Sequence, residues 1–536
     1  MAKLGGPRGK LMGRGDSPFS AVPKANIQRS TFDRSHAYKT TFDAGLLIPI
    51  YVDEALPGDT FTLKLNAFAR LATPLKPLMD NLHMETFFFA VPNRLIWDNW
   101  VNFMGEQASP GDTTDFTVPQ VVFAVGEPAT GDLSDYMGIP VQIGVENTVC
   151  GFWHRAYNLI WNEWFRDQNL QTPALTNHTD TPDNPASFPI RRRGKRHDYF
   201  TSCLPWPQKD TAGPALTSVG VPVVSTNDPI YLAQHSLATW EGTIEVEGVA
   251  NNMSISGAPL GGGPYNAMFQ LESNRPGATG LEVLVNQLRQ GFQIQKLLER
   301  DARGGTRYTE IIKSHFGVTS PDSRLQRPEY LGGGYSAVTL NPVAQTSGDD
   351  GIVKTPQANL SAIGTASLTG GFHKSFTEHC TILGLVCVRA DQTYQYGIDR
   401  MWSRSTRFDF YWPALSQIGE QAVLNKEITA VPGGTHEGVF GYQERYSEYR
   451  YKQSVVTGLF RSDPSGPDLT LNVWHLAQSY AAGLPVLNSA FIEENPPVDR
   501  VIAVQTEPHF LYDSFVSLKC ARPMPVFGTP GFVDHF

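Results

Sequence analysis

Five stretches of the chain combine apolar and polar alternation with β-branched and aromatic residues, the pattern of strands that bury a face. They are Thr60–Arg70, Leu82–Val91, Thr381–Ala390, Arg407–Trp412 and Phe510–Lys519. Spacings of three and four instead predict helices over Leu95–Met104, Arg155–Phe165 and Leu471–Ala481. A further helix is marked by Leu281, Leu284, Val285, Leu288 and Phe292, which share one predicted buried face. Gly304-Gly305 breaks that helix, a short second one follows, and an arginine-studded loop runs on to Gly332-Gly333-Gly334. Strands so far apart in sequence fit a Greek-key sandwich better than a βαβ fold. The fold class expected is an all-β core, an eight-stranded antiparallel jelly roll with long loop insertions containing short helices.

The connections are unusually long. Residues 105–150, 167–189, 211–280 and 317–375 are rich in Gly, Pro, Ser, Thr and Asp and are predicted irregular, with the glycine triplets as flexible turns. Loops beyond about 15 residues are uncommon in compact domains and are often functional. Three regions are predicted: a basic N-terminal arm over 1–40, a jelly-roll domain built from 41–210 and 281–536, and a surface insertion over 211–280.

Composition narrows the class. With 41% hydrophobic and 11% aromatic residues the chain can build a large core. Its longest apolar run, at Thr381, has strand length and falls short of the roughly 20 residues a membrane helix needs, so no membrane insertion is expected. The N-terminal cations have no apolar stretch behind them, which argues against a secretory signal. The five cysteines, Cys150, Cys203, Cys380, Cys387 and Cys520, are scattered without metal-ligand spacing and are expected as free thiols. On one strand, Cys380 and Cys387 would face opposite ways. No metal site or cofactor is expected.

Charge is low overall, at −9, but unevenly spread. Residues 1–30 hold six cations, among them Lys3, Arg8, Lys10 and Arg14, against Asp16 alone. A second run holds Arg191, Arg192, Arg193, Lys195 and Arg196, followed by Tyr199, Phe200 and Trp206. Cations neutralise phosphates and aromatic rings stack on unpaired bases, so both segments are candidate DNA contacts. Pairing with acids at a subunit contact explains the second run equally well. Arg300, Arg303, Arg307, Arg324 and Arg327 stud the predicted helical hairpin and its loop and are candidate subunit-interface residues. No catalytic string is present. Glu444 and Glu448 alone offer paired acids of the kind glycosidases use, but they alternate with arginine and tyrosine as in a charged contact.

Longer strings are more specific. They include TFDAGLLIPIYVDEALPGDTF from Thr41, PLMDNLHMETFFFAVPNRLIWDNW from Pro77, YNLIWNEWFRDQNLQ from Tyr157, RRRGKRHDYFTSCLPWPQ from Arg191 and the terminal PGFVDHF. Together they resemble the major capsid protein family of microviruses, small phages with single-stranded DNA, in its gokushovirus-type branch. The resemblance covers the chain from about Ser30 to Phe536. It implies a jelly-roll subunit that forms a homo-oligomeric T=1 icosahedral shell around a circular single-stranded DNA genome, located in the virion after synthesis in the host cytoplasm. It implies internal scaffolding, DNA-pilot and small basic DNA-binding proteins as partners. It also places a three-fold protrusion at 211–280, for a host surface receptor. The competing readings are a jelly-roll carbohydrate-active enzyme and a sugar-binding module.

Overall fold

The structure is a computed structural model. It describes residues 28–209, 244–246, 253–255, 285–322, 326–348, 357–430, 436–462, 471–480 and 483–527. The chain opens with β1 (Ser30–Asp33), β2 (His36–Phe42), β3 (Ile48–Ala55), β4 (Thr60–Leu71) and β5 (Leu82–Pro92). Two short ribbons follow, β6 (Gln120–Phe123) with β7 (Asn147–Cys150) and β8 (Ile244–Val246) with β9 (Met253–Ile255). Next come β10 (Glu329–Ala337), β11 (Thr339–Ala344), β12 (Leu360–Ser375) and β13 (Cys380–Ala390). A third ribbon pairs β14 (Glu420–Leu424) with β15 (Val439–Glu444), and β16 (Phe510–Arg522) closes the order.

Two antiparallel sheets carry the core. One runs β1-β16-β4-β12-β11, with β2 also paired to β16; the other runs β10-β5-β13-β3. The pairing is nested: β2 with β16, β3 with β13, β4 with β12 and β5 with β10. A long hairpin rolled upon itself pairs its strands in this way, first with last and inward.

Burial follows the sequence pattern closely in the first sheet. On β4, Phe61, Leu63, Leu65, Ala67, Ala69 and Leu71 are buried, while the residues between them face out. Phe510, Tyr512, Val516, Leu518 and Cys520 of β16 do the same. These side chains meet Met84 and Phe88 of β5 and Ile382, Val386 and Val388 of β13 in one core. In the second sheet the two central strands, β5 and β13, are buried on both faces, so they read as continuous apolar runs rather than alternations. Its outer face packs Phe89, Val91, Leu383 and Leu385 against Phe152, Ala156, Tyr157 and Ile160 of the helix Phe152–Ile160, which continues as a π turn over Trp161–Phe165. Cys380 and Cys387 point to opposite faces, and none of the five cysteines is in a disulfide.

Several expectations are corrected. Residues 317–375 are not a loop: they hold β10, β11 and all of β12. The glycine triplet lies within β10, where a Cβ on Gly332 would come 2.6 Å from the Gly371 carbonyl oxygen and one on Gly334 2.7 Å from Leu368. It permits β10 to approach β12 closely and is not a turn. Arg407–Trp412, expected as a strand, begins as a 3-10 turn over Arg407–Asp409, and Leu471–Ala481 yields only the turn Asn472–Trp474 among its described residues. Residues Ser30–Asp33 and His36–Phe42, counted with the arm, pair with β16. The chain divides into two compact units, 1–207 with 305–536, and 208–304. The second unit holds the β8–β9 ribbon and the helix Val285–Gly304, on which Phe292, expected buried, is 65% exposed. Leu281 and Leu284 lie outside the described residues.

Candidate functional site

The run Arg191–Arg196 is an extended strap between two distant parts of the sequence. Its backbone accepts from Leu47 and donates to Gly45 on one side, and bonds to Ile492 and Glu494 on the other, at 2.7 to 3.0 Å. Gly45 (φ +85°) is required there, since any Cβ would sit against the Glu494 carbonyl.

Its side chains are mostly engaged within the subunit. Arg193 forms an ion pair with Glu85 and lies 4.7 Å over the Phe87 ring. Arg389 reaches the same carboxylate at 3.0 Å and Arg196 at 3.6 Å, with Asp391 3.2 Å from Arg196. Burial raises the Glu85 carboxyl, but Arg193 and Arg389 outweigh it and hold the group below the usual carboxylate range. Arg192 donates to the carbonyls of Ala44 and Glu494. Lys195 is buried, 2.7 Å from Gln478 Oε1 and 4.6 Å over Phe491, and burial pushes its ammonium down to about 8.

Arg191 and Arg196 keep partial exposure. Arg191 lies 4.9 Å from the Trp161 ring centroid and lines a cleft of about 380 Å³ with Trp161, Gln171, Arg192, Ser489 and Glu493. The aromatics that follow the run are not offered to bases: Tyr199 and Phe200 are core residues, and Tyr199 donates to Glu427 at 3.1 Å. Trp206 is half-buried. Lys3, Arg8, Lys10 and Arg14 lie outside the described residues.

The interface candidates separate into two groups. Arg307 donates to the carbonyls of Asn162 (2.8 Å) and Arg166 and pairs with Glu310 at 3.0 Å. Arg327 stacks 3.8 Å over Trp164, pairs with Asp322 at 3.2 Å and donates to Thr309. Both therefore fasten the segment around the helix Tyr308–Ile311 to the π turn after Ile160. Arg300 is exposed and Arg303 half-buried on the helix Val285–Gly304, and Arg324 lies outside the described residues.

Sequence reasoning missed Arg155, the largest polar side chain to be fully buried. It pairs with Asp183 at 2.6 Å and donates to the carbonyls of Ile96, Thr179 and Thr181. Asn158 and Asn162 bind the carbonyls of Leu175, Ser187 and Ala174. The 167–189 loop thus satisfies much of its backbone within the subunit. One signal was readable: Arg155 falls on the apolar stripe of its helix, three residues after Phe152.

Nothing in this arrangement resembles a catalytic centre. Glu444 pairs with Arg450, and Glu448 accepts from Gln421 at 2.6 Å with Arg404 3.7 Å away. Among the described residues no group of three His, Cys, Asp or Glu side chains is placed to hold a metal, and no helix is long and apolar enough to cross a membrane.

Comparison with known proteins gives the context. The profile of the family described as capsid protein (F protein) matches residues 20–532. Capsid protein VP1 of Bdellovibrio phage phiMH2K is 42% identical, over 97% of this chain and 98% of the relative. The VP1 proteins of Chlamydia phage 1 and Spiroplasma virus 4 are 40% and 34% identical, each over 96% of this chain and 97% of the relative. These are structural proteins of the virion and not enzymes. The chain belongs to the phage F capsid protein family, in its gokushovirus-type microvirus branch.

Proposed function

We propose that this capsid protein is the repeating subunit of a T=1 icosahedral shell enclosing a circular single-stranded DNA genome. The observation that carries the reading is the near full-length match to VP1 capsid proteins. The nested pairing supports an eight-stranded jelly roll made of β2, β3, β4, β5, β10, β12, β13 and β16, with β1 and β11 as extensions. In this reading Lys3, Arg8, Lys10 and Arg14 of the arm contact genome phosphates, and the half-exposed Arg191 and Arg196 add to them. The internal bonds of Arg192, Arg193 and Lys195 favour a structural role for those three. Arg300, Arg303 and Arg324 serve subunit contacts, while Arg307 and Arg327 brace their own segment from within. Scaffolding, DNA-pilot and small basic DNA-binding proteins act with the shell. Residues 211–280 form its outward insertion, used for host attachment.

Electron microscopy of purified material, with nuclease protection, tests this directly. Closed isometric particles holding protected circular single-stranded DNA are expected. A monodisperse monomer that hydrolyses or binds oligosaccharides would replace the reading with an enzyme or a sugar-binding module.

A further inference from the structure

The segment around 400–412, with Tyr449 and Tyr451, leaves a large aromatic surface in water. Trp402 is 75% exposed, Phe408 59%, Phe410 53% and Tyr411 51%. The segment is built from short 3-10 turns, so no regular element requires these rings. Several rings of the segment are nonetheless held in place. Tyr411 packs edge-on against Tyr446 and Tyr449, with centroids 5.3 and 6.1 Å apart. Arg407 lies 4.7 Å over Trp412, whose indole N–H donates to the Arg407 carbonyl, and Arg404 lies 4.3 Å over Tyr449.

An ordered platform of Phe, Tyr, Trp and Arg has the composition of the centre of a protein interface. Its size agrees. Seven rings at about half of ~200 Å² each present on the order of 700 Å², near the roughly 800 Å² per partner of a standard interface and above the usual patch on a monomer.

We propose that this aromatic–arginine platform docks onto the acidic lobe of a second copy of the chain, residues 95–154. No lysine or arginine occurs between Arg94 and Arg155, whereas Glu106, Asp112, Asp115, Glu127, Asp132 and Glu146 are all exposed there. The same lobe exposes apolar Met104 (49%), Val125 (68%) and Val145 (66%), which suit the rings. Arg407, exposed on the platform, supplies the opposite charge. Two different patches of one chain that fit each other make a head-to-tail contact, which closes into a ring under rotation. The inference rests on the shell-forming reading, and its charge complementarity selects a second copy over a neutral ligand such as a host glycan.

A reciprocal charge swap tests it. Arg407→Glu reverses the exposed cation stacked on Trp412, Arg450→Glu reverses the exposed cation that follows Tyr449 and pairs with Glu444, and both spare Arg404, which faces the buried carboxylate of Glu448. Glu106→Arg with Asp115→Arg reverses the lobe. Each double variant, carried in the full chain within the phage, is expected to lower the yield of closed particles at least tenfold with soluble subunits, and the quadruple variant to recover most of it. Sedimentation velocity of the same four purified proteins reads the pairwise contact even where no shell closes, which separates this contact from the shell reading. Normal particles or normal self-association from either double variant would overturn the proposal, as would a quadruple variant no better than the doubles. Normal particle yield with lost adsorption would assign the platform to a host ligand instead.

Discussion

Glu85 shows how a single carboxylate organises the strap. It sits on β5, where it faces Arg193, Arg389 and Arg196, and it is nearly buried. Removing one member of a buried ion cluster leaves the others uncompensated, at a cost of about 3–5 kcal/mol. Glu85→Gln is therefore expected to destabilise the subunit by about 3 kcal/mol at pH 7, read from denaturant unfolding. Its pH dependence has a definite sign. The folded carboxyl lies below its ordinary range, so its contribution is complete above the unfolded value near 4.3 and fades as pH falls through the folded value. Wild type and variant should then converge in acid, and a deficit independent of pH would mean the charge is not the cause. The run's cations were legible in the sequence, but their partners were not. Glu85, Asp391 and Glu494 lie about 100 to 300 residues away, and no local pattern links them. Arg155 was missed as well, although a charge on the apolar stripe of its helix was a usable sign of a buried partner.

Among the elements, strands built from branched and aromatic residues were legible and those built largely from glycine and serine were not. β4 and β16 alternate because one face is wet, and their boundaries match the expectation closely. β10 and β12 read as loop because glycine and serine replace the usual branched residues. The reason is steric: a Cβ on Gly333 would overlap the Thr86 carbonyl, and one on Gly371 the Leu63 carbonyl. Glycine there weakens strand propensity yet is what lets the backbones meet. Gly333→Ala should accordingly cost about 3 kcal/mol or leave the chain insoluble. Gly348→Ala, whose Cβ would meet nothing within 4 Å, should be close to neutral. Comparing soluble yield and unfolding midpoint of the two variants checks this, and equal behaviour would show that β10 has room to shift. Arg407–Trp412 departs in the other direction, because its aromatic residues serve an exposed platform and not a pleated core.

Across the whole molecule, the sandwich and the strap both lie outside residues 208–304, which form a compact unit of their own. The two-sheet core draws on 42–90 and 338–520, and each of its strand pairs joins segments of that same unit. Composition set the expected insertion at 211–280 and placed 281–304 with the jelly roll, whereas the second unit spans 208–304. The pairing order was not legible, since nested partners such as β2 and β16 are separated by nearly the full chain. Loop length itself has little thermodynamic weight, about 0.6 kcal/mol per doubling. Replacing 213–280 with a short Gly/Ser linker should therefore leave a soluble subunit with an almost unchanged unfolding midpoint, and should still permit some closed particles that package DNA. Those particles should adsorb poorly to host cells, because the insertion is acidic, with five acids against Arg275, and so ill suited to phosphate contact. Calorimetry, particle yield and an adsorption assay read the three effects separately. Unfolded subunits would place residues 213–280 in the core, and unchanged adsorption would move the attachment site elsewhere on the shell.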